Sequence, residues 1–155
     1  MKWKYYLPVL TLGITAIITQ IILLREFISV YYGNELVLGI VLANWMLITG
    51  IGSCTGKISD KIKNKTIFLI VFISLLGLLP LIIVYILNIS KPWLFPPGTI
   101  PGITSLFLIS FVLQLPFCFV AGFSFTFFSD WISSMQKKNL IGNTYAIEAT
   151  GSITG

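Results

Sequence analysis

Four stretches of this 155-residue chain run for eighteen or more residues without a charged side chain: Leu7–Leu24, Leu36–Gly56, Thr66–Ser90 and Pro92–Ser129. A helix crossing the hydrocarbon core of a bilayer needs roughly 20 consecutive apolar residues. Hydrophobic residues make up 56% of the chain and charged residues only 10%, against about 25% charged in an ordinary soluble domain. Ten Lys/Arg and five Asp/Glu cannot cover a surface of this size in water, so lipid is the natural solvent. That excludes a soluble enzyme, a disordered tail, a disulfide scaffold and a nucleic-acid reader. The net charge of +5 lies in short clusters between the apolar runs, which is not the footprint of a nucleic-acid binder. With no His and two distant Cys, neither a zinc site nor any other cofactor is expected.

The expected fold is all-α: a polytopic membrane bundle with four complete transmembrane helices and part of a fifth. The spans are expected at about 6–32, 35–56, 66–90, 104–129 and 140–155. The first helix ends near Leu24 if it makes a single minimal crossing, and otherwise continues to Tyr32. Pro92 to Gly102 carries prolines that would each break a helical ladder, and reads as an outer loop. The last segment runs for about 24 Å at 1.5 Å per residue, short of a full crossing. It therefore reads as a helix cut within the membrane, the chain being a fragment of a longer protein, or as a half-helix in a complex. Orientation follows the basic residues. Lys2, Lys4, Lys57, Lys61, Lys63, Lys65, Lys137 and Lys138 fall on alternate connections, and only Arg25 and Lys91 on the others. This predicts a cytoplasmic N-terminus in a multi-pass protein of the cell inner membrane.

Polar residues inside apolar runs carry the functional signal. Thr11, Thr15 and Thr19 repeat every four residues beside Gly13 and Gln20, a small polar face suited to helix packing or to lining a path. Arg25, Glu26 and Glu35 gather about Gly33-Asn34 as interfacial anchors or as a cation-attracting gate. Asn44, deep in the second span, requires a hydrogen-bond partner on a neighbouring helix. Gly52 and Gly56 have the spacing that lets helices approach closely. Pro80 and Pro116 lie mid-span, with Gln114 the nearest polar group to the carbonyl that Pro116 leaves free. Phe117, Phe119, Phe123, Phe125, Phe127 and Phe128 surround the fourth helix and read as lipid contacts and packing. Cys54 and Cys118 read as small hydrophobes. Glu148 is the strongest single candidate. An isolated carboxylate about 12 Å into a membrane helix takes up a proton unless a cation or donor meets it. Gly151 and Gly155 repeat the close-packing spacing beside it.

Two family resemblances rest on quoted residues. Gly56-Lys57-Ile58-Ser59-Asp60-Lys61 resembles the Gly-x-x-x-Asp-Arg/Lys signature between helices two and three of the major facilitator superfamily. That resemblance implies a conformational latch formed by Gly56, Asp60 and Lys61, although Lys63 stands where the signature has a second glycine. Gln20 to Phe27, Gly33-Asn34-Glu35-Leu36, Leu42-Ala43-Asn44-Trp45, Gly52-Ser53 and Gly142-x-x-Tyr145-x-x-Glu148-x-x-Gly151-Ser152 resemble the membrane region of bacterial spermidine-synthase-like membrane proteins. The resemblance implies a helical anchor joined to a C-terminal aminopropyltransferase-like domain, of which this chain holds no catalytic residue. The resemblance assigns the membrane region no role; from the residues themselves, passage of a small cationic solute such as a polyamine is expected, with Arg25, Glu26, Glu35, Asn44 and Glu148 as substrate or gating candidates. The expected partners are the bilayer and the C-terminal region. The alternatives are the N-terminal part of a major facilitator-type secondary transporter, or an assembly subunit.

Overall fold

The computed structural model describes residues 6–31, 35–56, 65–94, 102–136 and 141–155. These form five helices and, among the described residues, no strand: α1 (Leu7–Val30), α2 (Glu35–Thr55), α3 (Lys65–Leu94), α4 (Ile103–Gln136) and α5 (Ile141–Thr154). Residues 7–30, 35–55, 65–90 and 103–135 are long and apolar enough to cross a membrane. The chain is an all-α bundle and an integral membrane protein.

Local sequence sets the ends. Pro8 occupies the first turn of α1, where its missing N–H would lack a partner anyway. The Tyr6 carbonyl accepts from the Val9 and Leu10 amides at 3.1 and 3.0 Å. At the far end the Tyr31 N–H closes on the Phe27 carbonyl at 2.9 Å. The helix thus passes Leu24 and carries Arg25 and Glu26 within its last two turns. Two other boundaries differ from expectation. Helix α3 runs through Lys91 and Pro92 to Leu94, because a proline in the final turn removes only one ladder bond. Helix α4 continues past Ser129 to Gln136, held by the fully buried Ile132 and by the Trp131 ring stacked 6.4 Å from Phe127.

Helix α4 is the centre of the bundle. Its Ser110, Gln114, Phe117, Cys118, Ala121, Phe127, Phe128 and Ile132 are all buried. Of the two roles expected for its phenylalanines, packing dominates: Phe117, Phe127 and Phe128 are buried and Phe119, Phe123 and Phe125 partly so. All four other helices touch α4, α2 most closely, and the lipid-facing side that remains carries Leu108, Val112 and Leu115. Helix α3 meets it through Phe72, whose ring stacks on Phe123 at 5.1 Å. The rest of α3 turns Ile67, Ile70, Leu81 and Tyr85 outward, as a helix facing acyl chains should.

The remaining helices pair through glycine. Helix α2 lies on α4, and α1 on α5. A methyl group at Gly52 would sit 2.5 Å from the Phe119 carbonyl oxygen, and one at Gly56 2.5 Å from Thr126 Cβ. Gly122 lies equally close to the Thr49 carbonyl of α2. On the other pair, Gly13 abuts the Glu148 carbonyl, and a methyl at Gly151 would stand 2.5 Å from the Leu10 oxygen. In both pairs contacts advance along the two chains together, from Asn44 on Ser110 to Gly56 on Thr126, so the partners run parallel. Helices separated by an odd number of complete crossings, one for α2 and α4 and three for α1 and α5, must do so.

Candidate functional site

Where the two glycine-joined pairs meet, a cavity of about 320 Å³ opens between α1, α2, α4 and α5. Leu12 and Ala16 of α1 line it, with Trp45, Thr49 and Ser53 of α2, Ala121, Gly122 and Phe125 of α4, and Tyr145 and Glu148 of α5. Among the described residues no Lys or Arg lines it, and Glu148 is the one acidic group on an otherwise aromatic, aliphatic and hydroxyl wall. Glu148 is half-buried and its Oε1 accepts from the Ser152 hydroxyl at 3.2 Å. The same hydroxyl lies 3.3 Å from the Gly13 carbonyl oxygen. Ser152 has one proton for two acceptors and stands between the Glu148 carboxylate and the α1 backbone.

The hydroxyls of the wall fix helices to one another. Ser53 donates to the Gly122 carbonyl at 3.2 Å, and Thr126 to the Ser53 carbonyl at 3.1 Å. Thr49 returns its proton to the Trp45 carbonyl one turn away, at 2.8 Å. Trp45 packs its ring 5.5 Å from Phe117, and Tyr145 meets Phe125 edge-on at 6.3 Å. Three aromatic rings, of Trp45, Phe125 and Tyr145, and one carboxylate about an apolar hollow suit an organic cation, whose charge is attracted both by the carboxylate and by ring faces. Among the described residues no three His, Cys, Asp or Glu side chains gather where a metal ion would need them.

The sequence candidates do not form one site. Asn44 is fully buried and donates to Ser110 Oγ at 2.8 Å and to the Phe107 carbonyl at 3.1 Å, both on α4. Arg25 and Glu35 are exposed and Glu26 half-buried, on the turns remote from Glu148. Gly56 seats against Thr126, whereas Asp60 and Lys61 lie outside the described residues. Gly33 and Asn34 also lie outside them, so the cluster expected about that turn is not described. Thr11 and Thr15 bond the Pro8, Thr11 and Leu12 carbonyls of their own helix, and on α1 it is Gly13 that makes the close crossing. Gln114 does not reach the carbonyl freed by Pro116: both its amide atoms are buried without a hydrogen-bond partner. Cys54 and Cys118 are free thiols. Sequence reasoning missed the cavity's Trp45, Ser53, Ala121, Phe125 and Tyr145 as a set. Only the i to i+4 step from Trp45 to Thr49 and on to Ser53 hinted at one shared face.

No family model matches the chain, and no curated protein or solved structure matches it either.

Proposed function

We propose that this chain is the membrane domain of a spermidine-synthase-like protein of the bacterial inner membrane, its N-terminus in the cytoplasm, and that its central cavity takes a small organic cation of the polyamine class. In this reading the helices anchor an aminopropyltransferase-like domain carried elsewhere in the same polypeptide, and the cavity passes its amine substrate or product through the bilayer. The family part rests on the sequence motifs alone. The observation that carries the solute class is Glu148 standing unopposed by Lys or Arg among Trp45, Phe125 and Tyr145. A polyamine carries ammonium groups separated by methylenes, so one ammonium can meet the Glu148 carboxylate while the methylenes lie on the apolar and aromatic wall. Tryptophan fluorescence of the chain in nanodiscs, titrated with spermidine, tests this through Trp45. Saturable quenching that weakens at least about tenfold in Glu148→Gln, roughly one lost charge-assisted contact, supports the proposal. Equal affinity in both proteins removes it.

A second reading, the N-terminal part of a major facilitator-type transporter, draws support from Gly56 fitted tightly against α4, the crossing role that the signature gives its glycine. Uptake into proteoliposomes driven by a proton gradient, and abolished by Asp60→Asn, would favour it over an anchoring domain.

A further inference from the structure

Buried polar atoms in proteins almost always have a hydrogen-bond partner, and hydrocarbon supplies none to those that lack one. Here Asn44 Oδ1 and Gln114 Oε1 and Nε2 are buried without one, and both residues are 0% exposed. They lie near each other. Asn44 is bonded to Ser110, and Gln114 follows Ser110 by one turn on the same side of α4. The orphan atoms comprise two amide carbonyl oxygens and one amide NH2, a set that only a molecule able both to donate and to accept can complete.

The same stripe of α4 leads to the cavity. Ala121 and Phe125, which line it, follow Gln114 at seven and eleven residues, two and three turns along one face. Across from them on α1, Leu12 and Ala16 line the cavity and the next residue on that face, Thr19, is also buried. On α2 the wall residue Trp45 is the immediate neighbour of Asn44. The face of α4 that meets α3 through Phe123 and Phe127 is turned away from this line. From Ala121 to Gln114 is about 10 Å along the axis at 1.5 Å per residue.

We infer that Gln114 and Asn44, sealed between the helices in this conformation, form a second hydrogen-bonding station that water and a small polar solute with amine or hydroxyl groups reach from the Glu148 cavity when the helices part. Gln114 is then a specificity-determining residue: it accepts donors that the apolar wall between the stations would reject. The inference rests on the cavity being aqueous, as the proposed function requires.

Cysteine accessibility in intact membranes separates the two. In a chain with Cys54→Ser and Cys118→Ala, single cysteines are placed at Gln114, at Ser110, at the cavity residue Ser53 and at the α3 residue Ile83, which is buried among apolar neighbours. A small water-soluble methanethiosulfonate reacts only with hydrated, ionisable thiols, so Gln114→Cys and Ser110→Cys should label within about tenfold of Ser53→Cys and about a hundredfold faster than Ile83→Cys. The near-isosteric Ser110→Cys reads the same place if the Gln114 variant does not fold. Fast labelling at Ser53 with labelling at Ser110 and Gln114 as slow as at Ile83 overturns the inference and leaves the cavity standing. Slow labelling at all four positions overturns both.

Discussion

Gly50 and Gly52 offer a matched pair within one helix, two residues apart and opposite in surroundings. Gly50 has nothing within 4 Å of where a methyl would stand, whereas at Gly52 the methyl would lie 2.5 Å from the Phe119 carbonyl oxygen and 3.1 Å from its Cα. Ordinary contact starts near 3.4 Å, so α2 and α4 must part by roughly 1 Å at the crossing, an overpacking that costs about 1–3 kcal/mol. The separation also stretches Ser53 to Gly122 and Thr126 to Ser53, now 3.2 and 3.1 Å, each worth about 0.6 kcal/mol in a membrane helix pair. Gly52→Ala should therefore destabilise by about 2–4 kcal/mol, a 30- to 1000-fold fall in the folding constant. Gly50→Ala removes only backbone freedom and should stabilise by about 0.5–1 kcal/mol. Equilibrium unfolding in mixed micelles with rising dodecyl sulfate, followed by circular dichroism, measures both. If the two variants lie within about 0.5 kcal/mol of each other, comparable to the additivity error of such measurements, the close crossing is not what holds α2 to α4.

Gln114→Leu replaces an unpartnered buried amide by an apolar group of similar size, and should raise stability by about 1–3 kcal/mol in the same assay while slowing solute passage. No gain would mean that Gln114 is already satisfied. Asn44→Leu removes the donor to Ser110 Oγ and to the Phe107 carbonyl, which keep their mutual bond at 3.2 Å, and should cost about 0.6–1.7 kcal/mol, whereas a loss below the error of the unfolding curve would show the bond to be idle. Gly13→Ala drives a methyl into the α5 backbone beside Glu148 and should weaken spermidine quenching of Trp45 at least about tenfold, with α2–α4 unfolding unchanged. Unaltered quenching would detach the cavity from the α1–α5 crossing.

The crossings of the membrane were readable because charge is costly in lipid, and the intervals between Lys and Arg therefore mark them. Their ends were less so. Pro92 looked like a breaker, yet a helix tolerates proline in its final turn. Asp130 looked like a boundary, yet Ile132 and Trp131 continue to pack beyond it. Glycine spacing identified Gly52, Gly56 and Gly151 as close-packing positions, but not that Gly122 and Gly13 face back from the partner helices. Periodicity describes one helix, and a crossing belongs to two. The same limit governed the site. Glu148 was conspicuous as a lone carboxylate, while Trp45, Phe125 and Tyr145 resemble any membrane aromatics until three helices bring them together. Gln114 was read beside Pro116 on its own helix, and only burial from all sides showed it to be unpartnered.

The pairing of α1 with α5 bears on the order in which the chain assembles. Ser152 and Gly13, which touch, are 139 residues apart, and at 5–20 residues per second a ribosome needs about 7–28 s to cover that distance. Helix α2 meets α4 across only 66 residues from Asn44 to Ser110. The α2–α4 unit can thus close while α1 waits in the membrane with its glycine notch at Gly13 bare to lipid. During that interval the notch is open to any other small-residue helix nearby, until its own fifth helix arrives to fill it.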